Sequence, residues 1–215
     1  MRRALFAFLL LLAVVPARAQ DLSVAPGTGA PPSEIAEPVR ALLADTGQTV
    51  TRGANTLDFW WVKALPRKPD ATGAGWPAVA EGAIVGALRL SKPLTDIRGL
   101  PIKPGVYTLR YALQPQDGDH MGVSPYREFL LVAPASDDTS AEPAGIRGAI
   151  SLSKKTAGKS HPSALSLDPP SATGEPGTVV TNDAGHKAVV FRVPVAGGAP
   201  LTFGLILVGT IEHQM

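Results

Sequence analysis

The chain has 215 residues, no cysteine, and 20 Lys+Arg against 18 Asp+Glu, a formal charge of +2. Lack of cysteine excludes disulfides, thiolate metal sites and redox pairs. No basic stretch is concentrated enough for the electrostatic footprint of a nucleic-acid-binding protein.

The N-terminus carries the strongest signal. Arg2 and Arg3 precede an unbroken apolar run from Ala4 to Val15, Pro16 ends it, and Ala17-Arg18-Ala19 has the small-x-small pattern that signal peptidase reads. The apolar run is well short of the ~20 residues a helix needs to span a bilayer. Residues 1–19 are therefore expected to be a secretory signal peptide cleaved after Ala19, placing the mature chain in the periplasm or the medium. Arg2, Arg3 and Arg18 would leave with it and no acid would, so 17 basic residues would face 18 acidic ones. The sequence pI near 9.0 thus belongs mostly to the leader. The other long apolar stretch, Leu201 to Ile211, is about half a span and is broken by Gly204 and Gly209. After removal of the leader, the protein is expected not to span a membrane.

Residues 20–32 are rich in Pro, Gly and Ala and read as a flexible lead-in. Ser33 is a candidate N-cap for a short helix over Glu34 to Ala44, limited by Pro38 and ended by Gly47. Strands are expected at Leu57–Val62, Gly82–Leu90, Val106–Leu113, Glu128–Val132, Ile146–Leu152, Thr178–Thr181, Lys187–Val193 and Leu201–Ile211. In Val106–Leu113, Tyr107, Leu109, Tyr111 and Leu113 alternate with Thr108 and Arg110, so Tyr107 and Tyr111 should face a core. Asn182-Asp183-Ala184-Gly185 has the residues of a hairpin turn. So many strands without alternating helices predict a mainly β fold, an antiparallel β-sandwich with one short N-terminal helix. Residues 33–215 would form a single sandwich domain, with 153–177 as a long loop or a lobe boundary.

Two catalytic motifs fail on inspection. Gly158-Lys159-Ser160 is the tail of a phosphate-binding loop, but Ser153 stands where its first glycine is needed. Ser151-x-x-Lys154 matches a penicillin-binding-protein nucleophile, but the Ser-Asp-Asn and Lys-Thr-Gly companions are missing. Two other clusters are candidate sites. Asp117, Asp119 and His120 share a loop; the carboxylates suit Ca²⁺, while His120 with Met121 suits copper. Otherwise no cofactor is expected. Trp60 and Trp61 are neighbours on a strand and must point to opposite faces. One can enter the core; the other needs a cover, such as the segment around Trp76, or serves with it as a stacking platform for a ligand.

The stretch from Leu100 to Val132 resembles a segment of small exported bacterial proteins of unassigned function. Within it, Lys103-Pro-Gly-Val-Tyr-Thr-Leu-Arg110 resembles the strand entry of many extracytoplasmic β-sandwich modules. The resemblance implies a sandwich fold and brings no activity with it. The expectation is an exported, non-catalytic β-sandwich that binds a ligand or partner protein in the cell envelope. The alternatives are an envelope metal-binding protein using Asp117, Asp119 and His120, and a hydrolase whose site is assembled in three dimensions.

Overall fold

Short runs rich in β-branched, aromatic and other apolar residues recur along the chain between Gly- and Pro-bearing turns, and they fold as antiparallel β-structure. The computed structural model describes residues 22–114, 126–158, 161–168 and 174–211. The strands are β1 (Leu22–Thr28), β2 (Gly47–Arg52), β3 (Asn55–Trp61), β4 (Ile84–Leu90), β5 (Leu94–Thr95), β6 (Pro101–Ile102), β7 (Gly105–Leu113), β8 (Glu128–Pro134), β9 (Ala164–Asp168), β10 (Val179–Thr181), β11 (Lys187–Val193) and β12 (Leu201–Val208). Ten of them form one sheet in the order β1-β2-β3-β4-β7-β8-β9-β12-β11-β10, while β5 and β6 pair as a separate hairpin.

This sheet is curled until it is nearly barrel-shaped. Phe59 and Trp61 of β3 meet Phe191 of β11 at ring-centroid distances of 5.4 and 4.7 Å, and Trp61 meets Phe203 of β12 edge-on at 5.3 Å. These strands are far apart in the sheet order, so their rings touch only because the sheet folds back on itself. Its inner face is one apolar cluster that includes Val50, Leu88, Leu109, Leu130, Leu167, Val189 and Leu205. Rings of this size bury much apolar area, and their tilted and edge-on contacts add about 0.5–1.5 kcal/mol per pair beyond it. Across the open seam, the Leu65 N–H donates to the Pro194 carbonyl (2.8 Å) and the Ala196 N–H to the Leu65 carbonyl (2.9 Å). The segment after β3 therefore straps one end of the gap.

Several local expectations change. Residues 22–28 of the expected flexible lead-in form edge strand β1, paired with β2 from Leu22↔Arg52 to Thr28↔Gly47. The helix expected over Glu34–Ala44 is reduced to one turn, α1 (Glu37–Arg40), with Pro38 near its start and no side-chain cap. Segment 146–152, expected as a strand, lies in helix α2 (Gly145–Ala157), which ends at left-handed Gly158. Ile146, Ala149, Ile150 and Ser153 are spaced as one helical face, and that period outweighs the β-branched residues among them. Ile146, Ala149 and Ile150 pack on Ala112, Leu131 and Ala164, the outer face of β7, β8 and β9. Strand β9 lies within 153–177, expected as a loop or boundary, and bridges β8 to β12.

Candidate functional site

All three tryptophans are packed inside the protein, with relative exposures of 0 % for Trp60, 7 % for Trp61 and 4 % for Trp76. Trp61 faces the interior and stacks on Phe59 at 5.4 Å. Gly86 makes room for it: a Cβ there would lie 2.6 Å from the Trp60 carbonyl and 2.8 Å from the Trp61 ring. Trp76 lies in a 3₁₀ turn (Trp76–Ala78) and stacks on Tyr111 at 4.7 Å. Trp60 points outward, where its Nε1–H donates to the Gly29 carbonyl (2.7 Å). The Arg89 guanidinium, 5.4 Å from the Trp60 ring centroid, also pairs with Asp58, Nη2 to Oδ2 at 2.7 Å. None of the three offers a ring face to solvent, which is the covered arrangement, the alternative to a stacking platform. Asp117, Asp119 and His120, and the expected cleavage residues Ala17 and Ala19, lie outside the described residues. Among the described residues, no group of three His, Asp or Glu side chains could hold a metal ion.

Of the rejected motifs, Ser151 lies in mid-helix and Lys154 in the last turn of α2, both exposed. A nucleophile of that class needs its serine at a helix start, beside companion groups.

Two polar clusters are assembled by the fold without any linear motif. In the first, Arg110 on the outer face of β7 is 1 % exposed and spends all five of its N–H groups. Nε and Nη2 donate to the two Asp138 carboxylate oxygens at 2.7 and 2.6 Å, Nη2 also to the Ser140 carbonyl (2.6 Å), and Nη1 to the carbonyls of Gly82 and Glu142. Thr108 Oγ1 donates to the same carboxylate. Gly82, at φ +78°, lets the chain at Ala144 and Gly145 pack against it, since a Cβ there would lie 2.5 Å from the Gly145 backbone. The cluster anchors the 135–144 loop to the sheet.

In the second cluster, His186 lies between Tyr126 and the chain after β12. Its Nε2 faces the Thr210 carbonyl (3.2 Å), which can only accept, so Nε2 carries the proton. Nδ1 then accepts from the Tyr126 hydroxyl at 2.6 Å. Asn182 Nδ2 donates to the Tyr126 oxygen (2.7 Å) and to Asp168 Oδ1 (3.0 Å), while Asn182 Oδ1 accepts the N–H groups of Ala184 and His186. Burial raises the Tyr126 phenol above its ordinary pKa, and the Asp168 charge adds to this. Both imidazole nitrogens are engaged within the protein, so this chain of side chains works as a clasp. It joins the Asn182 turn, the start of β8, the end of β9 and the chain after β12. Sequence spacing could not show it, because only the Asn182–Gly185 turn has a local signal.

Comparison with known protein families, with curated proteins and with solved structures gives no match. The site must be judged on its own chemistry.

The polar groups left open to solvent collect elsewhere. A surface groove of about 510 Å³ lies between residues 30–33, helix α1 and the chain after β3, and is lined by Ser33, Glu37, Arg40, Asp45 and Lys63 with Pro31. Arg40 pairs with Glu37, and Lys63 lies 3.5 Å from Asp45. Beneath it, Ile35, Val39 and Leu43 are fully packed into the core, which fixes the walls to the sheet.

Proposed function

We propose that this protein is an exported, non-catalytic β module, sandwich-like in its face-to-face packing, that binds a ligand or a partner protein in the cell envelope. The observation that carries the reading is how its buried ionisable groups are used. Arg110 and Asp138 hold a loop, His186 and Tyr126 clasp four segments, and Asp96 accepts from the Arg98 side chain and the Arg98 and Leu100 amides. A catalytic base or nucleophile needs an atom free to reach substrate. These groups spend their capacity on rigidity, which suits a scaffold presenting a fixed surface. Export rests on the pattern from Arg2 to Ala19.

The reading is tested by incubating the purified mature protein with a small-molecule extract of the envelope fraction, then following both partners by mass spectrometry. Retention of an unchanged compound at a stoichiometric ratio is the expected result. Steady conversion of any extract component by the protein, abolished by heat denaturation, would replace the binding module with an enzyme.

A further inference from the structure

We infer that the groove beside helix α1 is a binding site for short zwitterionic peptides, an inference that rests on the binding-module reading and gives it a ligand class. Its volume of about 510 Å³ falls within the ~300–1,000 Å³ of small-molecule sites, more than a single amino acid fills.

The charges select the class. Two cations, Arg40 and Lys63, and two carboxylates, Glu37 and Asp45, line the same groove. Their formal charges cancel, so the groove gives no net attraction to a polyanion or a polycation. It does offer both signs within one ligand length, which matches a molecule carrying its own ammonium and carboxylate.

Arg40 and Glu37 are already paired with each other, while the resident contacts leave Lys63 and Asp45 available. Lys63 Nζ is 3.5 Å from Asp45 and 3.4 Å from the Ala41 carbonyl, with side-chain exposures of 56 % for Lys63 and 91 % for Asp45. Charge-assisted hydrogen bonds are normally about 2.7–2.9 Å, so both contacts are loose. Arg40 Nη1 reaches the Ser33 and Ile35 carbonyls only at 3.5 Å each. An incoming carboxylate can close on Lys63 without breaking a tight bond, with Arg40 Nη1 beside it while Nη2 stays on Glu37. The ligand ammonium then takes the place of Lys63 beside Asp45 or joins Glu37. Exchange of one exposed ion pair for another costs little, because such pairs contribute little in water. Binding is therefore weak to moderate, and it depends on both ligand termini.

The test is titration of the mature, isotope-labelled protein with triglycine, N-acetyltriglycine and triglycine amide, followed by amide chemical shifts. Triglycine is expected to shift the amides of Ser33, Arg40 and Lys63 saturably. Each blocked analogue, missing one charge, is expected to bind about tenfold more weakly. Lys63→Gln and Glu37→Gln alter exposed side chains and should keep the wild-type melting temperature while weakening triglycine about two- to fivefold. Absence of saturable shifts at these amides overturns the inference, as does equal binding of the blocked peptides or unchanged affinity of Lys63→Gln. Saturable shifts confined to another surface overturn the groove and leave the binding module standing.

Discussion

Replacing Asp138 by Ala leaves the Arg110 guanidinium charged, 1 % exposed and without the carboxylate that takes its Nε and Nη2 hydrogens at 2.7 and 2.6 Å. Breaking a buried pair from one side costs about 3–5 kcal/mol. In a domain of this size each kcal/mol lowers the melting temperature by about 2–4 °C, so the variant should melt about 6–20 °C below wild type. The adjacent residue supplies the control. Asp137 pairs with Lys155 at 2.8 Å, nearly the same distance, but the two side chains are 38 % and 52 % exposed. An exposed pair is worth about 0–1 kcal/mol, so Asp137→Ala should lower the melting temperature by no more than about 4 °C. Both variants can be melted in parallel by circular dichroism at 217 nm, where antiparallel sheet absorbs, roughly. Equal shifts in the two variants would show that pair distance, rather than burial, sets the effect, and would refute the anchoring role of Arg110.

Three further outcomes follow from the packing and the leader. Burial raises the pKa of Tyr107, Tyr111 and Tyr126, all the tyrosines of the chain; the folded state therefore favours the neutral phenols, stability is fully present below the ordinary phenol pKa of 10.0, and it is lost as pH rises through the folded values. Absorbance titration at about 295 nm should show tyrosinate only as the fold is lost, and one phenol ionising reversibly near its ordinary pKa in intact protein would contradict this. Gly86→Ala drives a Cβ against the Trp60 carbonyl and the Trp61 ring, and should cost about 1–3 kcal/mol in urea unfolding with altered tryptophan fluorescence; a wild-type midpoint would show that the sheet yields there freely. Ala19→Phe removes the small residue before the expected cleavage point, so the precursor should persist on immunoblots of whole cells; normal maturation would remove the leader assignment.

Strands with strict alternation or aromatic content were legible from sequence: β3, β7 and β11 lie where the pattern placed them. So was the opposed orientation of Trp60 and Trp61. Strand β1 was hidden because Pro26 and Gly27 look like linker composition, yet Leu22 and Val24 pack against the core. Proline is tolerated there since β1 is an edge strand. Helix α2 was misread because its apolar residues are β-branched and sparse; its face is defined by what it covers, the small Ala112 and Ala164 of the sheet. The polar clusters were illegible for a different reason. Tyr126 and His186 are 60 residues apart, as the register of β8, β9 and β12 brings them together. Arg110 could be read as one residue on the polar face of β7, but the partners that bury it come from a loop with no pattern of its own.

Every neighbouring pair in the ten-stranded sheet is antiparallel, so strand direction reverses nine times between β1 and β10 and the two seam edges run opposite ways. A foreign strand entering that gap would have to run parallel to one flank while antiparallel to the other. Parallel pairing is the weaker of the two per residue. The bulge between Pro26 and Thr28 further spoils the β1 flank as a template. Parity thus guards the opening: the gap between β1 and β10 is a poor host for an intruding strand or for fibre growth.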